Sequence, residues 1–120
     1  MDYQLSRGPA ISEADALAEA EALGLNGYAF DLRTDVDEPL HWHEFSAVTW
    51  VIEGSGSFRD QHGDVIEVGP GCRVEAPAGF LHQGLAGNPQ RVVLGTDLPY
   101  EQWTQPIDKD PADRPEHLRV

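Results

Sequence analysis

Between residues 28 and 97 the chain is cut into short runs of β-branched and aromatic residues, each stopped by glycine, proline, asparagine or aspartate. The runs are "YAFDLRT", "SAVTWVIE", "GSFRD", "DVIEV", "RVEA", "LHQGLA" and "RVVLGTD". Between them stand "DVDEP", "GSG", "DQHGD", "GPG", "PAG" and "GNPQ". Such runs are too short for a packed helix, no 3.6-residue period joins them, and Val, Ile, Thr and aromatic side chains suit a pleated surface. Turn signals at a spacing of about 8–12 residues predict an all-β sandwich or barrel. The best-defined hairpin is "GSGSFRDQHGDVIEVGPG", with Gly63 and Asp64 at its tip.

The two ends differ in texture. "ISEADALAEAEALG" predicts one short helix, with Ser12 as N-cap, Asp15 favoured in the first turn and Gly24 at the stop. Its apolar residues are small, which predicts a helix on the surface. In "LNGY", Asn26 and Gly27 are expected to form a turn. The C-terminal "DKDPADRPEHLRV" has two prolines and many charges, the pattern of a mobile or surface-draped end. The expected division is an N-terminal segment with the helix over residues 1–27, the barrel over 28–100 and a polar tail over 101–120.

One hundred and twenty residues suffice for a single core. Twenty-one acids against eight bases leave a net charge of −13, which opposes a phosphate backbone or an anionic membrane surface, so neither nucleic acid nor membrane is an expected partner. Cys72 is the only cysteine, so no intramolecular disulfide can form; it is expected as a small buried hydrophobe. The N-terminus has acids where a signal peptide needs a basic start, and no apolar run is long enough to span a bilayer. A cytoplasmic protein is the expectation.

Five histidines occur, and three of them form a pattern. In "HWHEF", His41 and His43 are one residue apart, and on an extended chain they share a face. Two imidazoles so placed are either solvated polar groups or a metal-binding pair. His82, in "GCRVEAPAGFLHQG", can join them if the sheet closes and brings distant strands together. His62, in the hairpin tip, and His117, in the tail, are expected to be exposed and outside any site.

These two stretches resemble the two motifs of the cupin superfamily. The first pattern is His-x-His, a following Glu and a Gly that ends the next strand; His41, His43 and Gly54 match it. The second is Gly, five residues, Pro-x-Gly, two residues and His; Gly71, Pro77, Gly79 and His82 match it. The resemblance covers roughly residues 28–97 and implies a double-stranded β-helix, or jelly-roll barrel, preceded by the short helix and holding one divalent metal in its mouth. The metal set it implies is His41, His43 and His82, with Fe(II) favoured and Zn, Ni or Mn as other occupants.

Two positions depart from the family pattern. Ala47 stands where the family places its ligand Glu, and Ala86 where an Asn often closes the second motif. Glu44, Glu53 and Glu75 are the candidates for a replacement fourth ligand. Three neutral imidazoles leave a divalent ion its full charge, which suits a small anionic ligand. The function implied is an Fe(II)-type dioxygenase of a small anionic substrate; the alternatives are a non-catalytic ligand- or metal-binding or sensor module, and an isomerase or lyase. If the family register holds, Ala47, Thr49 and Val51 face the pocket, while Trp42 and Trp50 face away. Arg73 and Glu75 form either an outer pair or an inward anchor lining the pocket. A homodimer is expected, since open sheet edges favour being covered.

Overall fold

The computed structural model describes residues 2–118; residues 1, 119 and 120, the extreme ends of the N-terminal segment and of the tail, lie outside the described residues. Eight strands and one α-helix follow in the order β1 (Gln4–Arg7), α1 (Glu13–Ala22), β2 (Asn26–Leu32), β3 (Ala47–Gly54), β4 (Gly56–Arg59), β5 (Val65–Val68), β6 (Cys72–Ala76), β7 (Gln83–Gly84) and β8 (Gln90–Thr96). They build two antiparallel sheets, of order β1-β6-β3-β8-β2 and β5-β4-β7. The all-β jelly-roll expectation holds, with a cavity enclosed between the sheets and the helix on the outside.

Strand alternation sorts β3 as its sequence requires. Ala47, Thr49 and Val51 line the cavity. Val48, Trp50 and Ile52 pack the other way, where Trp50 and Val93 meet the fully buried Ala16 and Ala20 of α1. The helix is amphipathic through alanine. Its exposed side carries Asp15 and Glu21 among alanines, and the small residues on the other side allow close approach to the sheet. Ser12 caps it by accepting from the Asp15 amide at 3.1 Å, and Gly24 ends it with φ +75°.

Asn26 and Gly27 do not form the expected turn. They begin β2, opposite Thr96 and Gly95 of β8. The reason is packing, because a Cβ on Gly27 would meet Leu17 at 3.2 Å and Ala20 at 3.4 Å. Glycine here admits the helix rather than bending the chain. β1 is a strand with no sequence signal: "QLSR" holds one apolar residue, and its pairing with β6 supplies the order.

Two motif glycines have demanding backbones. Gly54 has φ +78°, and a Cβ there would lie 2.2 Å from the Pro89 carbonyl oxygen; Gly71 has φ +89°, with the Gly8 carbonyl oxygen 2.1 Å from the same point. Both the conformation and the space exclude any side chain. Cys72 is buried, as expected.

The C-terminal segment drapes over the barrel, and it is anchored rather than mobile. Lys109 and Trp42 exchange backbone hydrogen bonds of 3.0 and 3.2 Å, and the Trp42 indole donates to the Asp110 carbonyl at 2.8 Å. Trp42 therefore faces away from the cavity, as expected, and packs against this segment. Among the described residues no helix is long and apolar enough to cross a membrane.

Candidate metal centre

The two histidine stretches meet directly. The amide of His41 donates to the His82 carbonyl at 2.9 Å, and the amide of His82 donates back at 3.0 Å. This isolated antiparallel bridge, rather than a regular strand, carries the first motif. His41 and His43 still fall on one side of the chain, and His43 closes the group. Ring centroids lie 4.4 Å apart for His41–His82, 5.0 Å for His41–His43 and 5.1 Å for His43–His82. One donor atom from each ring lies within 4.8 Å of the others, so the three could hold a metal ion.

Each ring is oriented by its other nitrogen. Nδ1 of His41 lies 2.8 Å from the Pro39 carbonyl oxygen, Nδ1 of His43 lies 3.0 Å from that of Ile107, and Nδ1 of His82 lies 3.0 Å from that of Phe80. A carbonyl only accepts, so each Nδ1 carries a proton, and in a neutral ring the lone pair is then on Nε2. Such outer hydrogen bonds set tautomer and aim in metal-ligating histidines. Ring packing adds to this: His43 stacks on Phe45 at 5.0 Å, Phe45 on Trp103 at 4.4 Å, and His82 on Phe80 at 5.2 Å.

Electrostatics favour the neutral rings that a metal needs. Burial, followed by the neighbouring His41 and His43 rings, pushes His82 down to about 3. His43 is lowered as well, mainly by burial, against the hydrogen bond to Ile107 that raises it. The donor set and the orientation of its rings fit a divalent ion.

The cavity beside these rings has a volume of about 370 Å³ and mostly apolar walls from both sheets. Ala47, Thr49 and Val51 line it as expected. Arg73 and Glu75 do not: of the two alternatives for them, the outer pair is the one present, and the inward anchor lining the pocket is not. Thr49 is paired with Val74 and Ala47 with Ala76, so Val74 and Ala76 point inward and alternation sends Arg73 and Glu75 outside. There Arg73 bonds Glu75, reaches Glu19 at 3.5 Å and lies over the Trp50 ring at 5.6 Å.

None of the three expected replacements for the absent Glu approaches the imidazoles. Glu44 Oε2 accepts from the Thr104 amide at 2.7 Å and the Thr104 hydroxyl at 2.9 Å, and it pairs with Lys109 at 3.4 Å. Glu53 is exposed near the end of β3, opposite Arg91 in register. Glu75 is occupied by Arg73 on the outer face. His62 pairs with Asp2 at 2.9 Å and is exposed, and His117 stands apart from the cluster, both as expected.

The acid that does approach is Asp108. Its Oδ1 lies 3.6 Å from Nε2 of His41 and 3.7 Å from Nδ1 of His43, with the side chain half exposed. Sequence reasoning missed it because it lies in a polar stretch read as a tail. The available signal was Trp103 and Ile107, apolar residues that a solvated end has no reason to carry; both line the cavity. Glu38 was missed too; it lines the cavity and accepts from the Gly84 amide at 2.9 Å.

No protein-family model and no curated protein matches the chain. Solved structures do match. The polyketide cyclase RemF from Streptomyces resistomycificus is 26% identical with a TM-score of 0.51, over 71% of this chain and 63% of that one. DMSP lyase DddQ from Ruegeria pomeroyi DSS-3 is 25% identical with a TM-score of 0.51, over 62% of this chain and 39% of that one. A DUF861 family protein from Thermotoga maritima is 13% identical with a TM-score of 0.54, over 79% of this chain and 99% of that one. The fold is of the cupin type. This chain thus spans less than two thirds of the cyclase and of the lyase it resembles.

Proposed function

We propose that this chain is a metal-dependent cupin-type enzyme acting on a small molecule with an apolar body and one anionic, oxygen-bearing end. The observation that carries the reading is the convergence of three oriented imidazoles on an apolar cavity of about 370 Å³. His41, His43 and His82 would hold one divalent ion, Fe(II) as the physiological occupant, although Ni(II) and Zn(II) bind nitrogen sites more tightly and Mn(II) less so. That ion would supply Lewis acidity and, as Fe(II), access to dioxygen chemistry.

The protein's own part is binding and exclusion of water. Val51, Phe58, Val92 and Leu94 offer the walls for the apolar body, and Thr49 offers a hydroxyl. Among the described residues no Lys or Arg lines the cavity. An anionic end of the substrate is therefore expected to find its countercharge at the centre and nowhere else. Oxidation by dioxygen is the first reading, because histidine ligands leave an Fe(II) ion open positions for substrate and dioxygen. A non-oxidative elimination or cyclisation is the second reading, supported by the likeness to a lyase and a cyclase at 25% and 26% identity. We also propose that two copies pair through an open sheet edge.

The test uses protein prepared without a nickel column, stripped with chelator and reloaded with Fe(II), Zn(II), Ni(II) or Mn(II) in turn. One ion per chain is expected, lost in His43→Ala. Oxygen uptake by the Fe(II) form with a small diketone, thiol or hydroxy acid supports the oxidative reading; turnover without oxygen supports the second. A chain that takes up none of the four ions overturns the proposal.

A further inference from the structure

The missing carboxylate of the first motif has a counterpart from another part of the chain. Backbone hydrogen bonds join Trp42 to Lys109 as antiparallel partners, which sets Asp108 opposite His43. Side chains of facing residues in an antiparallel pair lie on the same face, so the Asp108 carboxylate is delivered to the side of the imidazoles. Its neighbours are held on both sides. The Ile107 carbonyl accepts from Nδ1 of His43 at 3.0 Å, and the Asp110 carbonyl accepts from the Trp42 indole at 2.8 Å.

The separation from one ring donor is close to that of donors sharing a single ion. Two donors each about 2.1 Å from one ion stand about 3.0 Å apart at a right angle and about 3.4 Å apart at a tetrahedral angle. Oδ1 of Asp108 and Nε2 of His41 are 3.6 Å apart, a gap that a shared ion would close by a few tenths of an ångström. Towards His43 the contact is to Nδ1, at 3.7 Å, so ligation also requires the carboxylate to turn towards Nε2 of that ring. Glu44, which follows the first motif, is not free to serve, since it holds Thr104 and Lys109. It fixes the segment that presents Asp108.

We infer that Asp108 is a fourth metal ligand, supplied by the C-terminal segment in place of the Glu that Ala47 replaces. The inference rests on the metal-binding part of the proposed function. A carboxylate ligand lowers the charge of the centre from +2 to +1. It also makes the C-terminal segment part of the metal site instead of a covering over it.

Co(II) is the probe, because its visible bands report the ligand set. Wild type should bind one Co(II) per chain. Asp108→Asn should bind it at least about 10-fold more weakly, with shifted bands, while Asp108→Glu keeps the wild-type bands. Unchanged affinity in Asp108→Asn overturns the inference. Weaker binding with unchanged bands also overturns it, since a nearby charge without ligation would act that way. A crystal structure of Co(II)-loaded wild type decides the question without any variant: an Asp108 oxygen beyond about 3 Å from the ion refutes ligation. If wild type binds Co(II) and Asp108 stands apart, only this inference falls; if wild type binds no metal at all, the proposed function falls with it.

Discussion

Each of the three imidazoles gives its Nδ1–H to a backbone carbonyl, from Pro39, Ile107 or Phe80, and turns Nε2 towards the other rings. This preparation has a cost that pH reveals. Burial disfavours the imidazolium of His82 and holds it near 3, below the unfolded value near 6.5. The native state therefore binds this proton less readily than the unfolded chain. The stability tied to His82 is complete above about pH 6.5 and is lost progressively as pH falls towards about 3. Thermal unfolding of metal-free protein should show a loss of up to about 2 kcal/mol between about pH 6.5 and 5, a range in which carboxylates remain ionised. His82→Gln should remove most of that slope and leave the part due to His43. A slope unchanged in His82→Gln would place the buried proton elsewhere. At this scale the site was legible in part: the spacing of His41, His43 and His82 within two motifs predicted the three rings, but their carbonyl partners come from loops with no pattern to read.

The C-terminal segment is the element whose role differs most from its composition. Its polarity resembles that of a free end, yet Trp103 and Ile107 enter the cavity wall and Asp108 reaches the imidazoles. Glu44 is the clasp. Partial burial pushes its carboxyl up, but the hydrogen bonds from Thr104 and Lys109 outweigh this and hold it below the usual range. Glu44→Gln should weaken the clasp by about 1–2 kcal/mol. Hydrogen exchange should read this as faster exchange at the Thr104 and Lys109 amides, with the amide of Trp50 in β3 unchanged. Equal acceleration at all three would mean global destabilisation and no local clasp. The helix illustrates a related point. Its alanines predicted a surface position, and they also allow Ala16 and Ala20 to pack fully buried on Trp50 and Val93.

For the whole molecule, the charge of −13 sets how copies meet. The proposed homodimer brings two such charges together, and the outer strands β2 and β5 expose Phe30 and Val65. Salt shortens the reach of the repulsion, with a Debye length of about 8 Å at physiological ionic strength. Sedimentation equilibrium at micromolar protein should show a dimer that tightens between about 20 mM and about 300 mM NaCl. A monomer at both salts would remove self-pairing from the proposal.

Local chemistry was enough for much of this protein. Runs of β-branched residues between turn formers predicted the two-sheet barrel, Ser12 and Gly24 bounded the helix, and spaced motifs identified three ring donors. Alternation and capping act over a few residues, so one chain displays them. The inward side of β6, the strand at Gln4–Arg7 and the seat of Asp108 beside His41 depend on which distant segments pair and in which register. Those pairings are decided by burial and hydrogen bonding summed over the folded molecule, and no short stretch of sequence carries them.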